Sequence, residues 1–239
     1  MNISKEYILN YFNDWGLNEP DHNYLKFHLT RYKFLLETIE TTFAKIPNKN
    51  DLSLLDIGPS FQTFLMKECF PDVKIETLGF SYLNPPAEPP KCFVFDLNNC
   101  LTRENWPETA KYNVVVMAEV LEYLFVPPEC VFEFIKSLLK PDGFFVMQVS
   151  NGLALFKRLD LLLGKKICGK IISGKENAVH LREYGLSDLI LLGDKQGLRV
   201  NEWFIKNYYY NNSFFYSSLM SIAKLNKNFN EGITIIYQK

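Results

Sequence analysis

The sequence predicts an α/β fold: a seven-stranded, mostly parallel sheet with an antiparallel last strand and helical cap insertions. Three observations support this. Short apolar, β-branched runs alternate with helical patterns between residues 50 and 206, as right-handed βαβ crossovers require. Runs such as Val114, Val115 and Val116 are apolar at consecutive positions, the mark of strands covered on both faces. Proline and glycine punctuate the boundaries between these runs.

Taken in order, Tyr24, Phe27, Tyr32, Leu35, Leu36 and Ile39 recur at helical spacing, predicting an amphipathic helix that ends before the Ile46-Pro47-Asn48 loop. Residues 1–48 are read as a helical cover. Leu52 to Gly58 is a strand, and Phe61 to Phe70 a helix stopped by Pro71. Val73 to Phe80 is a second strand, followed by a stiff loop with four prolines between Asn84 and Pro90. Cys92 to Asp96 and Tyr112 to Ala118 are the third and fourth strands.

Glu129 to Leu139 is then a helix. Lys140-Pro141-Asp142-Gly143 suits a type I turn, and Phe144 to Val149 is the fifth strand. Ser187 to Gln196 is a helix, and Leu198 to Lys206 and Gly232 to Tyr237 are the last two strands. Residues 152–185 and the aromatic, asparagine-rich segment Tyr208 to Phe229 are expected to form cap insertions on a single domain spanning 1–239.

The 239 residues carry 26 Lys and Arg against 27 Asp and Glu, so there is no basic footprint of the kind nucleic-acid binding needs. Cys69, Cys92, Cys100, Cys130 and Cys168 are odd in number and contain no Cys-x-x-Cys pair, which points to reduced thiols and no metal cluster. Lys5, Glu6 and Asp14 interrupt the N-terminal apolar residues and no apolar run reaches bilayer length, so a cytoplasmic location is expected. Lys157, Arg158, Lys165, Lys166, Lys170 and Lys175 interleave with apolar residues around one acid, Asp160. Such a stretch forms a solvated cap helix, or alternatively touches a membrane surface or a phosphate-bearing acceptor.

In an open parallel sheet, ligands gather beyond the carboxyl ends of the strands, where Gly58, Phe80, Asp96 and Glu119 fall. Gly58 lets a ligand approach the backbone, and Asp56 is placed to orient an ammonium group. Either role competes with an ordinary turn. Asp96 in Asp-Leu-Asn-Asn is equally good turn chemistry, and Glu119 and Glu122 would share one face of a helix. His180 lies where substrate-facing residues gather, and an imidazole titrates near neutrality, as a general base should. A helix-entry hydrogen bond is the plainer role for it. Arg182 and Tyr184 either bind an anionic or sugar substrate or pack.

The fixed order LLDIG, DLNN at Asp96, MAEVLEY at Glu119, LLKPDGFFVMQVSNG and HLREYGLSDL with QGLRV resembles the class I S-adenosylmethionine-dependent methyltransferases, in particular the small-molecule and sugar O-methyltransferase branch. The resemblance covers roughly residues 50 to 205, and the helix with His28, Arg31 and Tyr32 resembles their cofactor-covering helix. It implies a Rossmann-like domain in which Asp56, Gly58, Ser60, Phe80, Asp96, Leu97, Met117 and Glu119 bind S-adenosylmethionine. Asp96 and Leu97 would bracket the adenine, and Met117 to Glu119 would line the sulfonium. Glu119 and His180 would serve the chemistry, on a sugar or other polar acceptor in glycan or secondary metabolism.

Three positions depart from the family pattern. Pro59, Ser60, Phe61 and Gln62 follow Gly58 where two more glycines are usual, so Ser60 and Gln62 would crowd the cofactor or contact it through side chains. Phe80 stands where an acid grips the ribose. Tyr123 replaces a histidine that helps hold a metal in some relatives, so no metal is expected. These departures keep a second reading open, a degenerate methyltransferase fold acting as a binding or scaffold subunit. A nicotinamide-dependent enzyme is disfavoured because no G-x-G-x-x-G follows a predicted strand.

Overall fold

The computed structural model describes residues 3–80, 88–168, 180–209, 221 and 226–239. Part of the four-proline loop, Lys170 and Lys175 of the basic stretch, and most of the aromatic insertion lie outside the described residues. Helices α1 (Lys5–Phe12) and α2 (Glu19–Lys45) precede β1 (Ser53–Ile57), α3 (Phe61–Cys69), β2 (Lys74–Gly79) and β3 (Cys92–Val94). Then follow β4 (Tyr112–Ala118), α4 (Pro128–Leu138), β5 (Leu139–Ser150), α5 (Leu155–Leu162), α6 (Leu186–Lys195), β6 (Arg199–Lys206) and β7 (Gly232–Gln238).

The strands form one Rossmann-like sheet in the order β3-β2-β1-β4-β5-β7-β6. Every pairing is parallel except those of β7, which runs antiparallel to both β5 and β6. Strand order reverses between β1 and β4, which opens a crevice at their carboxyl ends.

Side-chain alternation divides the core. Leu55, Ile57, Val115 and Met117 face α4 and α6, whereas Leu54, Val114, Val116 and Ala118 face α1, α2 and α3. Asp56 has the parity of Leu54, so a carboxylate enters the layer beneath α2 and α3. That single alternation builds one wall of the site described below.

Helix α2 is longer than its apolar pattern suggested because its polar ends are stabilised locally. Asn18 caps the start by accepting from the Asp21 amide at 2.8 Å, and Pro20 lies in the first turn. Tyr24 and Phe27, expected on the buried face, are exposed. The buried stripe instead includes Leu25, His28, Arg31, Tyr32, Leu35, Leu36 and Ile39.

The type I turn expected at Lys140 to Gly143 is also corrected. Asp142 adopts φ 58°, which excludes that turn type. The residues are absorbed into β5 as an irregularity where pairing jumps from Tyr112↔Leu139 to Val114↔Phe144. On β7, between β5 and the edge strand β6, a Cβ on Gly232 would lie 1.9 Å from the Tyr208 ring, so only glycine admits that ring there. Among the described residues no helix is long and apolar enough to cross a membrane.

Candidate functional site

Beyond β1, Gly58 turns the chain at φ 78°, and a Cβ there would come within 2.5 Å of Val120 Cγ2. Its amide donates to the Leu78 carbonyl at 2.9 Å, tying the β1 and β2 ends together. Ser60 then opens α3, and its amide donates to Thr63 Oγ1 at 3.0 Å. The same Thr63 hydroxyl donates to Asp56 Oδ2 at 2.5 Å, and Gln62 Nε2 donates to Asp56 Oδ1 at 3.1 Å. Gln62 is fully buried and turned away from solvent. It bridges inward, where the sequence suggested it would crowd a ligand.

Gln62 also joins this wall to α2. Arg31 donates from Nη1 to Gln62 Oε1 at 3.0 Å and from Nε to His28 Nδ1 at 3.1 Å. Burial, assisted by the Arg31 charge, pushes His28 down to about 3, so His28 is the neutral acceptor its geometry requires. Burial raises Asp56 to about 7, against the opposing hydrogen bonds of Thr63 and Gln62 and the Arg31 charge. The chain His28–Arg31–Gln62–Asp56 was not read from the sequence as a unit. Its one signal was the i, i+3 spacing of His28 and Arg31.

Beyond β4, Glu119 adopts φ 55°, an uncommon and costly conformation for a residue with a side chain. Its amide donates to the Gln148 carbonyl at 2.8 Å. Oε2 accepts from the Tyr209 hydroxyl at 3.0 Å, while Oε1 is buried with no hydrogen-bond partner among the described residues. Glu119 and Glu122 do not share an α-helical face, because residues Leu121–Tyr123 form a 3-10 turn. The turn nevertheless brings them together. Glu122 Oε1 accepts from the Ser150 amide at 2.7 Å, its Oε2 has no hydrogen-bond partner among the described residues, and burial with the Glu119 charge raises it to about 8.

His180 lies opposite, held at both ring nitrogens. Nε2 meets the Tyr123 hydroxyl at 3.1 Å, and Nδ1 meets Glu183 Oε1 at 3.1 Å. Burial would raise Glu183, but the hydrogen bonds from His180 and Lys157 outweigh it and hold Glu183 below the usual carboxylate value. Lys157 pairs with Glu183 and donates to Ser150 Oγ at 3.0 Å. Glu183 was not singled out in the sequence, although it follows His180 at the same spacing of three.

Glu119, Glu122 and His180 each place a donor atom within 4.8 Å of the others, a spacing a divalent ion could span. His180 would first have to give up Tyr123 or Glu183. Tyr123, the residue that departs from the family histidine, therefore occupies the imidazole itself.

Of these groups, His28, Glu119, Tyr123, Lys157 and His180 line a cavity of about 350 Å³ together with Phe27 and Tyr209, whereas Asp56, Arg31, Gln62, Glu122 and Glu183 lie behind its wall. Phe27 stacks on Tyr209 with centroids 4.8 Å apart, forming an aromatic wall. The remaining sequence candidates lie elsewhere. Phe80 is 69% exposed just past β2. Asp96 Oδ1 accepts from the Asn98 amide at 2.9 Å and the Asn98 Nδ2 at 3.0 Å, the turn-cap geometry.

Leu97 and Met117 direct their side chains into the core, so only their backbone is available to a ligand. Arg182 donates to the carbonyls of Val126, at 2.5 Å, and Phe125, at 3.1 Å, while Tyr184 is buried. Arg182 thus holds the loop after β4 in place, and Tyr184 bridges to Asn151 after β5.

Comparison with solved structures places this architecture among methyltransferases. A S-adenosylmethionine-dependent methyltransferase from Archaeoglobus fulgidus superposes with TM-score 0.57 at 15% identity, over 87% of this chain and 94% of that one. Magnesium protoporphyrin IX methyltransferase from Synechocystis, solved with bound S-adenosylhomocysteine, gives 0.56 at 11% identity over 99% and 100%. The 1,6-didemethyltoxoflavin-N1-methyltransferase from Burkholderia thailandensis, solved with its acceptor and S-adenosylhomocysteine, gives 0.51 at 12% identity over 87% and 76%. At these identities the likeness is one of fold. Comparison with curated proteins finds no match. The glycine turn after β1, the acids after β4 and strands β1 to β5 all lie within residues 27–202, which match the family model for the methyltransferase domain, and the chain belongs to that family.

Proposed function

We propose that this protein transfers a methyl group from S-adenosylmethionine to an oxygen of a small polar acceptor, of the sugar or polar-metabolite type. The observation that carries this reading is the convergence, at the carboxyl edge of β1 and β4, of three buried or half-buried carboxylates with one guanidinium. Asp56 and Glu119 interact with the Arg31 charge, Glu122 lies beside Glu119, and among the described residues two of their carboxylate oxygens have no hydrogen-bond partner. A ligand carrying a sulfonium and an ammonium offsets that excess, and Arg31 complements its carboxylate. Gly58 turns the chain beside them, with Val120 packed into the space a side chain would need. When bound, the cofactor supplies an electrophilic methyl group.

The protein's own part is orientation and proton removal. Glu183 fixes His180 through Nδ1, leaving Nε2 directed at Tyr123 on the cavity wall. An acceptor hydroxyl that takes over the Tyr123 hydrogen bond gives its proton to Nε2, and the imidazolium formed is stabilised by Glu183. Titration calorimetry with S-adenosylmethionine and S-adenosylhomocysteine tests the cofactor half. Micromolar binding is the expected outcome. Absence of binding at millimolar ligand overturns it and favours the scaffold reading, which the exposed Phe80 ring at the ribose position supports.

A further inference from the structure

Helix α5 has two unlike ends. Toward its start, Leu155 is buried and packs with Phe156, Leu159 and Phe229, while Phe156 and Lys157 line the 350 Å³ cavity. At its C-terminus, Leu161, Leu162 and Leu163 are 53%, 82% and 72% exposed. A single exposed leucine is unremarkable, but three in succession form a ridge that water solvates poorly.

The charges around the ridge are mostly positive. From Leu153 to Cys168 the chain carries Lys157, Arg158, Lys165 and Lys166 against Asp160 alone. Lys157 pairs with Glu183 and Lys165 with Asp160. Among the described residues, Arg158 and Lys166 have no carboxylate partner, and both are exposed. Arg158 instead donates to the Leu153 carbonyl and lies 5.4 Å above the Phe229 ring, which anchors it beside the ridge.

We propose that the Leu161–Leu163 tip of α5 and its flanking cations dock this protein on an anionic lipid surface. The tip matches what enters the boundary between headgroups and acyl chains: a few aliphatic side chains with cations at their rim to meet lipid phosphates. A stable protein interface engages roughly 20–30 residues a side, far more than this ridge offers. Docking there brings the α5 wall of the cavity close to the headgroups. The surface stands whether or not methyl transfer occurs, so its test is independent of the proposed activity.

The test is co-sedimentation of the full chain with phosphatidylcholine vesicles, with and without phosphatidylglycerol. Two variants are compared: Leu161→Ser/Leu162→Ser/Leu163→Ser, and Lys165→Glu/Lys166→Glu. Binding to the phosphatidylglycerol vesicles is expected, weakened on the order of tenfold or more by either variant and screened by salt. Each variant should keep the wild-type Tm, and the charge variant keeps the test decisive if the leucine variant misfolds. The proposal is overturned if the wild type ignores phosphatidylglycerol vesicles or if both variants bind as it does. It is equally overturned if sedimentation velocity shows the ridge closing a dimer that the leucine variant breaks.

Discussion

Asp56 owes its chemistry to its surroundings. Burial lifts it to about 7, so near neutral pH it carries a proton part of the time. A cation bound beside it favours the ionised form and expels that proton. Cofactor binding should therefore release protons at pH 7, and affinity should rise from pH 6 to 8. Calorimetry in buffers of differing ionisation enthalpy reads this directly, and Asp56→Asn should reduce the pH dependence, leaving the part that Glu122 contributes, and weaken binding roughly tenfold. His180 belongs to the other half of the site. His180→Gln should lower kcat by about 10²–10³-fold with cofactor affinity unchanged. A matching loss of cofactor binding would instead make His180 a structural residue. Glu183→Gln should show a smaller fall in kcat with the pH–rate profile displaced, because the imidazolium loses its counter-charge.

At the scale of elements, the turn from β1 into α3 holds the site together. Gly58 adopts φ 78° with Val120 Cγ2 in the space a Cβ would need. Gly58→Ala combines a left-handed residue with a clash against the turn after β4, and should cost about 2–3 kcal/mol, read as a lowered denaturation midpoint with unchanged m-value. Two further glycines are unnecessary in this turn because Ser60 and Gln62 are committed inward. The Ser60 amide goes to Thr63, and Gln62 links Asp56 to Arg31. Helix α2 is thus joined to the sheet by a polar chain as well as by its apolar stripe, making the cover part of the site.

Across the whole molecule, the buried carboxylates set a pH dependence of stability. Asp56 at about 7 and Glu122 at about 8 lie above their ordinary values of 3.8 and 4.5. At these two groups the folded state holds more protons than the unfolded state; His28, held neutral in the fold, opposes this by one proton below about pH 6.5, so stability falls as pH rises from about 5.5 to 8. The ligand-free protein should show a Tm that declines from pH 5.5 to 8.5, at roughly 2–4 °C per kcal/mol lost for a chain of this size. Cofactor should restore most of the loss at the alkaline end. A Tm rising over the same interval would show that these carboxylates are ionised and paired in the free protein.

Sequence alone determined the strands and their order along the chain, because buried strands must be apolar at consecutive positions and crossovers must have helical period; the antiparallel last strand is an expectation of the family reading that the sheet bears out. It also placed Gly58, Asp96 and Glu119 at strand ends, since a strand's end is local information. Tertiary structure decided which of those residues face the cavity. Asp96 folds back to cap its own turn, and Leu97 and Met117 fill the core, because strand parity and a short-range hydrogen bond claim them first. Partnerships across 31 residues, Arg31 with Gln62, or across 57, Tyr123 with His180, leave no periodic trace in a sequence. They exist only because the sheet closes and brings separate loops to one edge.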